Sequence, residues 1–437
     1  MKTFMENAKA LRGFLILWLT QSLSALGSAM TAFALVVWSY GHSGSALETA
    51  MLSICSYAPY VLVSIFAGAV SDRWRKKTVM LVCDTFAALC TVCVGALLAA
   101  GRLELWHLYA LNAASGLMNT FQQPASDVAI TLLTPKEHYQ LASSLRSFSG
   151  ALNSILAPVL ATALLALLGI RAVIAIDLTT FAAAFLSLVF LIRLPEEERR
   201  EQEEESVLAL AKSGIGYLRS HLGILHLMLF LAAINLIASM YNAALPALLL
   251  TRGGGEAALG AVQAAAGGAM LAGSLFSTIW PKPKSRVRVI CNTLLISMST
   301  ENFLLAFGRT VPVWCVGAIL GWAGIPLMNA NMDVLFRERI PVAMQGRVYS
   351  ARNTFQFFTI PIGYLLGGAL VDRVFEPLMA AARRDGLLVR LFGMGKGAGA
   401  ACLFSVLAVM GVATCLIFRM DRHIWALECP TQEQTKD

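Results

Sequence analysis

Residues 170–193 read IRAVIAIDLTTFAAAFLSLVFLIR, and residues 195–205 just after them read PEEERREQEEE. The first stretch has the roughly 20 apolar residues that a helix needs to cross a hydrocarbon core of about 30 Å. The second is a run of charges that belongs in water. This pattern predicts a membrane-spanning helix, with its backbone polar groups satisfied internally, followed by a solvated linker.

Similar apolar runs recur along the chain of 437 residues, which is 57% hydrophobic and 14% charged. Soluble domains are about 45–50% apolar and about 25% charged. We therefore predict an all-α integral membrane protein, with twelve transmembrane helices forming two pseudo-symmetric six-helix bundles around a central cavity. The first span is too long for a cleavable signal peptide. The predicted spans are 13–39, 46–70, 78–100, 105–130, 142–168, 170–193, 222–250, 258–280, 287–308, 312–335, 347–372 and 398–419.

Lysine and arginine positions predict the orientation of these spans. With the N-terminus in the cytoplasm, 25 of the 34 Lys and Arg residues lie inside and 9 outside. The positive-inside rule then places both termini of this multi-pass protein on the cytoplasmic side of the cell membrane. The net charge of +8 follows from this asymmetry, so we predict no nucleic-acid partner.

The acidic linker predicts the domain organisation. We expect an N-terminal six-helix bundle at 1–194, an acidic cytoplasmic linker with an amphipathic helix at 195–221, and a C-terminal bundle with a cytoplasmic tail at 222–437. Related halves are typical of transporters with a solute site near mid-membrane. Three residues recur at an offset of 206 positions: Asp127, Pro135 and Arg146 correspond to Asp333, Pro341 and Arg352.

In each half the repeated Asp ends one predicted helix and the repeated Arg begins the next. Asp127 with Arg146, and Asp333 with Arg352, are therefore predicted to pair across neighbouring helices. Such pairs are either parts of an inner gate or static ion pairs, and the sequence does not decide between the two.

The loop after the second span reads GAVSDRWRKK at residues 68–77. A glycine, three residues, Asp-Arg and a basic cluster resemble the signature loop of the major facilitator superfamily, and the twelve spans with a charged central linker fit that resemblance. Arg75 stands where the family usually has glycine, so the local turn differs. The same pattern recurs at 368–373, but the predicted topology places that copy outside and gives it no latch role. The resemblance implies a cytoplasmic latch made by Gly68, Asp72, Arg73, Lys76 and Lys77.

Two further positions bear on the resemblance. Ala157 and Pro158 in the fifth span resemble a degraded form of the family's antiporter motif, which implies a kinked helix that favours export; a packing proline is the alternative. Asn112 stands where drug exporters of the family often carry an arginine, so that residue's coupling role does not carry over. The polar first span with Gln21, Ser24 and Gly27, the signature loop without its usual glycine, and the start of the eleventh span at 346–348 (GRV) look most like the macrolide-efflux branch of the family.

Polar residues recur at helical spacing within several spans, and polar groups inside a membrane face protein or water. We predict that they line a substrate cavity; hydrogen bonding between helices is the alternative. A mostly uncharged wall with aromatic residues favours a bulky amphiphile over a sugar or a phosphate. The predicted cavity residues are Gln21, Ser24, Asn112, Asn119, Gln122, Asn153, Asn235, Asn242, Trp322, Asn329 and Gln356.

Two carboxylates, Asp177 and Glu301, lie deeper in their spans and are candidates for proton coupling. No Gly-x-x-x-x-Gly-Lys-Ser/Thr loop or metal-ligand spacing occurs, so we predict no cofactor, no metal and no enzymatic activity. The resemblance implies a monomeric secondary transporter that exports a small drug or macrolide-like amphiphile by proton antiport with alternating access. Its partners would be that solute, a proton or other ion, and the lipid bilayer. The alternatives are export of a siderophore or other metabolite, uptake of a solute, and a membrane enzyme or receptor on the same scaffold.

Overall fold

A computed structural model of the chain describes most of its residues. The acidic linker prediction falls almost entirely outside the described part, of which only residues 216–221 belong to it. The described residues are 11–135, 138–194, 216–252, 254–281 and 283–428, and the side chains at 64–73, 140, 342–347 and 349–355 are excluded.

The described residues group into two compact units. Unit 1 takes those within 1–44 and 51–202, and unit 2 takes those within 45–50 and 203–437. Every regular element in the described ranges is helical, and eleven of these helices are long and apolar enough to cross a membrane. The prediction of an all-α membrane protein is confirmed.

Unit 1 contains six long helices, except that the start of the second one, at 46–50, belongs to unit 2. Helix α1 packs against α5 and α6, and α3 packs against α4. The helices are α1 Arg12–Ser43, α2 Ala46–Arg73, α3 Lys76–Ala99, α4 Leu105–Leu133, α5 Tyr139–Leu168 and α6 Ile170–Phe190.

Unit 2 contains the remaining long helices and several short ones. Helix α7 packs against α12 and α15, and α9 packs against α10 and α15. The helices are α7 Leu222–Leu249, α8 Gly255–Ile279, α9 Arg286–Phe307, α10 Val311–Trp322, α11 Ile325–Arg339, α12 Val342–Leu370, α13 Glu376–Ala381, α14 Leu387–Phe392, α15 Ala398–Arg419 and α16 Arg422–Ala426.

Helix α4 is the long helix that hydropathy alone does not select as a span. Its polar residues, among them Asn112, Asn119 and Gln122, lower its mean hydropathy. With 29 residues it is still about 43 Å long at a rise of about 1.5 Å per residue, which exceeds the hydrocarbon core. Helix α4 is therefore long enough to be the fourth span that the sequence predicts.

The tenth predicted span is broken in the structure. Helix α10 ends at Trp322 and α11 begins at Ile325, where the sequence predicted one helix over 312–335. Pro326 lies in the first turn of α11, has no amide hydrogen and would clash with the Trp322 carbonyl in a continuous helix. Gly273 of α8 packs directly against the Ala323 carbonyl at this break, a position that leaves no space for a Cβ.

The eleventh predicted span is longer than expected. Helix α12 continues through a single π-helical turn, Val371–Phe375, into α13. In that turn Asp372 accepts hydrogen bonds from the Ser45 hydroxyl at 2.6 Å, the Ala46 amide at 3.0 Å and the Leu47 amide at 2.9 Å. These groups open α2, so Asp372 caps its first turn and explains why residues 45–50 group with unit 2.

Candidate functional site

A cavity of about 210 Å³ lies inside unit 2. Helices α7, α9, α11 and α12 and the end of α10 form its walls, which are mostly apolar with a few polar groups, as is usual for small-molecule sites. The residues that line it are Leu231, Ile234, Asn235, Ile237, Ala238, Tyr241, Leu294, Ser297, Met298, Glu301, Asn302, Trp322, Ile325, Met328, Asn329, Met332 and Gln356.

Glu301 is the carboxylic acid among the described lining residues, and it is only 4% exposed. The Tyr241 hydroxyl donates a hydrogen bond to its Oε1 at 2.6 Å, and the Trp322 indole donates to the same oxygen at 3.0 Å. Tyrosine and tryptophan each have a large apolar ring with one polar group, the hydroxyl or the indole N–H. When the ring is buried, that group usually has a hydrogen-bond partner. The carboxylate is therefore held in one position by one of its two oxygens.

The second oxygen of Glu301 lies against Gly321 of α10. A Cβ at Gly321 would come within 2.7 Å of the Glu301 carboxyl carbon and within 2.8 Å of its Cβ. Glycine at this position lets α10 approach the carboxylate closely. Within the described ranges no donor is hydrogen-bonded to Oε2, so this oxygen can accept a proton or a hydrogen bond from a ligand.

Asn302, the next residue on α9, is 1% exposed and also lines the cavity. Its amide nitrogen donates to the Met298 carbonyl at 2.8 Å within the same helix. Its Oδ1 is buried and has no hydrogen-bond partner within the described structure. A buried unsatisfied acceptor is costly, at about 1–3 kcal/mol, so this oxygen favours a donor that enters the cavity.

Unit 1 contains a different buried carboxylate, Asp84 of α3, which is 8% exposed. Gln21 of α1 donates to its Oδ2 at 3.2 Å, and Gln122 of α4 donates a shorter hydrogen bond to Oδ1. Two of the predicted cavity residues are thus hydrogen-bonded to Asp84. Their amides serve interhelical hydrogen bonding here, which is the alternative that the sequence left open.

Asp177 of α6, the other proton-coupling candidate, is 3% exposed and lies in unit 1. It accepts a hydrogen bond from the Ser28 hydroxyl of α1 at 3.0 Å. Gly27 packs directly against it, because a Cβ there would come within 2.9 Å of the Asp177 backbone. The structure therefore places Asp177 in a tight α1–α6 contact, whereas Glu301 borders a cavity.

The predicted ion pair between Asp127 of α4 and Arg146 of α5 is present, at 2.5 Å. It lies in a polar depression of about 420 Å³ lined by hydroxyl-bearing residues such as Thr131, Ser143 and Ser147. Both members are nearly half exposed, and exposed pairs contribute little to stability. The corresponding pair of the second half, Asp333 with Arg352, includes a side chain outside the description.

The signature loop is described in part. The side chains of Gly68, Asp72 and Arg73 lie outside the description, while Lys76 is 9% exposed. The Lys77 ammonium donates to the Val189 carbonyl at 3.0 Å and to the Ile192 carbonyl at 2.8 Å. These are free carbonyls at the end of α6, so Lys77 caps that helix, as a cation does favourably at a C-terminus.

The other predicted cavity residues divide between two environments. Asn235, Trp322, Asn329 and Gln356 all line the unit 2 cavity, whereas Asn242, on α7, is not part of that lining. In unit 1 the Asn112 amide donates to its own helix, and that of Asn153 to the Ser22 carbonyl at 3.4 Å. Ser24 is partly exposed, Asn119 is exposed, and Ala157 and Pro158 are buried within α5.

Sequence reasoning missed Tyr241, Ser297 and Asn302. Tyr241 lies one position before the predicted Asn242 on α7. The stripe of polar residues on that helix predicts Asn235 and Asn242 as cavity residues but does not include Tyr241. Its hydroxyl reaches a carboxylate 60 residues away, and no local pattern signals that contact. Asn302 directly follows Glu301, and two adjacent polar residues in an apolar span are a signal that could have identified it.

An all-α chain with a row of membrane-length helices and a partly polar cavity among them is a polytopic membrane protein of the transporter class. The sequence gives the family. Residues 17–364 match the sequence profile of the Major Facilitator Superfamily, so the chain belongs to that family of transporters. The predicted resemblance and the fold class of two six-helix halves are thereby confirmed.

Two relatives of this chain are exporters. The chain is 23% identical over 366 residues to macrolide efflux protein A of Streptococcus pyogenes, covering 83% of this chain and 90% of that protein. It is 26% identical over 352 residues to the enterobactin exporter of Citrobacter koseri, covering 77% of this chain and 80% of that protein. Among solved structures, a POT family transporter in complex with 5-aminolevulinic acid has a TM-score of 0.67 at 14% identity, covering 93% of this chain and 95% of that one, and shows the shared fold.

Proposed function

We propose that this protein exports a small drug or macrolide-like amphiphile by proton antiport with alternating access. The single observation that carries the proposal is Glu301, a buried carboxylate beside a mostly apolar cavity with one oxygen held and the other facing Gly321. A group of this kind can exchange a proton, because its protonation changes the charge of a desolvated site. The relatives, an efflux protein and an exporter, support the outward direction.

The proposal assigns roles to the remaining predicted residues. Protonation of Glu301, with Asp177 as the second candidate, couples transport to a proton gradient. The Asp127–Arg146 pair belongs to an inner gate, with Asp333 and Arg352 as its counterpart. The signature loop acts as a latch. The protein is a monomer in the cell membrane with both termini in the cytoplasm, and residues 195–221 link its two domains.

Export of a siderophore or other metabolite is the second candidate. The relative that exports enterobactin is 26% identical, which is similar to the identity of the macrolide efflux relative. A buried carboxylate beside a mostly apolar cavity favours a basic amphiphile over an acidic one, since an anionic solute would be repelled by Glu301.

Transport by purified protein in liposomes tests the proposal. We expect an imposed pH gradient to drive accumulation of at least one macrolide or dye, and we expect dissipation of the gradient to stop it. A panel that includes siderophores compares the two candidates directly. Transport that persists without any ion gradient would contradict antiport, and exclusive transport of siderophores would contradict the choice of solute.

A further inference from the structure

We propose that the unit 2 cavity is a binding site for the ammonium end of a basic amphiphile, with Glu301 as the counter-ion. The inference rests on the proposed export function and specifies the chemical class of its solute. It places one end of the solute in the cavity between α7, α9 and the α10–α11 break, which lies within unit 2.

The charge of the lining selects a cation. Of the 17 described residues that line it, Glu301 is the only carboxylic acid, and none is Lys, Arg or His. The Asn302 Oδ1 adds a buried acceptor that lacks a donor within the described structure. An ammonium group supplies both a positive charge for the carboxylate and hydrogens for free acceptors, whereas an anion would find no counter-charge among these residues.

The apolar part of the lining selects what the ammonium is attached to. Tyr241 and Trp322 present aromatic rings, which attract cations, and their polar atoms are already engaged with Glu301. Met298, Met328 and Met332 supply flexible, polarisable thioethers that adapt to irregular groups. The site therefore suits an alkylated amine better than a bare ammonium ion.

The size of the cavity limits how much of the solute enters. Pockets for drug-sized ligands usually measure about 300–1,000 Å³, and this cavity has about 210 Å³. An engineered apolar cavity of about 150 Å³ already accommodates benzene. The cavity thus holds an amine with one small ring or a few alkyl groups, which is one end of an amphiphile.

The pattern of hydrogen bonds distinguishes this carboxylate from one that serves packing alone. Both donors to Glu301 share Oε1, and glycine at position 321 leaves the Oε2 side without a side chain. A carboxylate that serves only the fold is expected to have both oxygens occupied, since each unsatisfied acceptor is costly. Glu301, which carries the free oxygen, and Asn302, which carries the orphan acceptor, both line the same cavity.

Binding of benzyltrimethylammonium to the full-length protein in lipid nanodiscs tests the inference. This probe is permanently charged, so any effect of pH on its binding arises in the protein. We expect Glu301→Gln to weaken binding at least about tenfold, which corresponds to about 1.4 kcal/mol. The matched control is Glu338→Gln, which removes an exposed carboxylate of the same unit that pairs with Arg286, and which should bind as wild type does.

Two further variants keep the test decisive if Glu301→Gln folds poorly. Glu301→Asp retains the charge and should restore part of the affinity. Ala238→Leu narrows the cavity without changing any charge and should also weaken binding. Neopentylbenzene, the uncharged carbon isostere of the probe, should bind equally to wild type and Glu301→Gln.

Equal binding of the ammonium probe to wild type and to folded Glu301→Gln would overturn the inference. So would binding that is lost equally in Glu338→Gln, because the effect would then be one of overall charge. The inference and the proposed function can fail separately. If the protein does not bind the ammonium probe but a proton gradient still drives export of uncharged compounds, the inference fails and the proposed function stands. If the protein binds the probe but no gradient drives transport of any compound, the proposed function fails.

Discussion

Helices α3 and α9 are each the third long helix of their unit, and each buries one carboxylate. Asp84 is the ninth residue of α3, and Glu301 is the sixteenth of α9, so the two lie at different depths. Asp84 receives one amide on each oxygen, whereas Glu301 receives two donors on one oxygen. Corresponding helices therefore carry the same chemical group in two arrangements, one with a donor on each oxygen and one with both donors on a single oxygen.

This difference in hydrogen bonding suggests a way to distinguish a structural carboxylate from a functional one inside a membrane protein. Burial alone does not separate them, because Asp84 is 8% and Glu301 is 4% exposed. The distribution of the donors does, since both oxygens of Asp84 accept a hydrogen bond, whereas Oε2 of Glu301 accepts none within the described residues. Asp84 links α1, α3 and α4 through amides, and Glu301 borders a cavity and keeps one oxygen without a donor among the described residues.

The largest expected effect is on transport, in Glu301→Gln compared with Asp84→Asn. A glutamine keeps an oxygen for both Tyr241 and Trp322, so Glu301→Gln should fold normally. It removes the charge, and loss of one member of a desolvated charge pair costs about 2–5 kcal/mol, so transport should fall on the order of 100-fold. The initial rate of gradient-driven transport in liposomes measures this change.

Asp84→Asn should show the opposite behaviour. An asparagine presents an NH₂ group where one of the two glutamine amides now donates, so one hydrogen bond is lost or a glutamine must turn over. We expect a loss of about 1–3 kcal/mol in stability, seen as a lower thermal unfolding temperature, with the transport rate of folded protein retained. If Asp84→Asn abolished transport and Glu301→Gln did not, the assignment of the two carboxylates would be reversed.

The next effect is on stability, in Tyr241→Phe. This change keeps the ring but removes the hydroxyl that donates to Glu301, which leaves the buried carboxylate with Trp322 alone. Hydrogen bonds to charged groups contribute about 1.5–3 kcal/mol, so the unfolding temperature should fall accordingly. Transport should fall less than in Glu301→Gln, because the charge remains.

Tyr217→Phe is the matched control for Tyr241→Phe. The Tyr217 hydroxyl lies in the same unit and makes a single long hydrogen bond, at 3.4 Å, to the Arg339 carbonyl. Its removal should change stability by less than about 0.5 kcal/mol. A similar loss of stability in both tyrosine variants would show that the hydrogen bond from Tyr241 to Glu301 contributes no more than the long hydrogen bond of Tyr217.

A third prediction concerns the free side of Glu301. Gly321→Ala adds a methyl group where the carboxylate lies, so Glu301 must shift away from its donors. Inserting a methyl group into a packed site costs about 1–3 kcal/mol. The control is Gly268→Ala on α8, where an added Cβ meets nothing within 4 Å. This control should stabilise the helix slightly, because alanine is a better helix former than glycine.

Measurement of unfolding temperature and ammonium binding for both glycine variants completes this comparison. We expect Gly321→Ala to lower both and Gly268→Ala to lower neither. Unchanged ammonium binding in Gly321→Ala would mean that binding does not depend on the present position of the Glu301 carboxylate. It would contradict the proposal that the donor-free Oε2 binds the ammonium group.

Much of this architecture is predictable from the sequence. Apolar runs of membrane length fix the helices to within a few residues, since lipid leaves the backbone no alternative to internal hydrogen bonds. The break after Trp322 was missed, although Gly324 and Pro326 signal it: the cost of a proline inside a helix was given too little weight against the length of the apolar run.

The site was predictable only in part. Glu301, Trp322, Asn235, Asn329 and Gln356 were each singled out, because polar residues are conspicuous in apolar spans. Their assembly around one cavity depends on how α7, α9, α10, α11 and α12 rotate and pack, which no single helix encodes. For the same reason the sequence did not predict that Gln21 and Gln122 would both be hydrogen-bonded to Asp84.

The smallest expected effect is in Asp372→Asn, which applies the oxygen criterion to a third carboxylate. Asp372 accepts from the Ala46 amide on Oδ1, and from the Ser45 hydroxyl and the Leu47 amide on Oδ2, so both oxygens are occupied. It should therefore behave like Asp84, as a structural group that caps α2. The sequence analysis assigned no latch role to the second copy of the signature pattern at 368–373, and in the structure its Asp372 caps α2.

We expect Asp372→Asn to lose about 0.5–2 kcal/mol, as removal of a helix cap usually does, because an asparagine retains one of the two acceptor oxygens at most. The exposed Asp385→Asn is the control and should change stability by less than about 0.5 kcal/mol. Thermal unfolding and transport should be measured on the same preparations. If Asp372→Asn left stability intact but stopped transport, a carboxylate with a donor on both oxygens would have a functional role. The presence of a donor on each oxygen would then no longer separate Asp84 from Glu301.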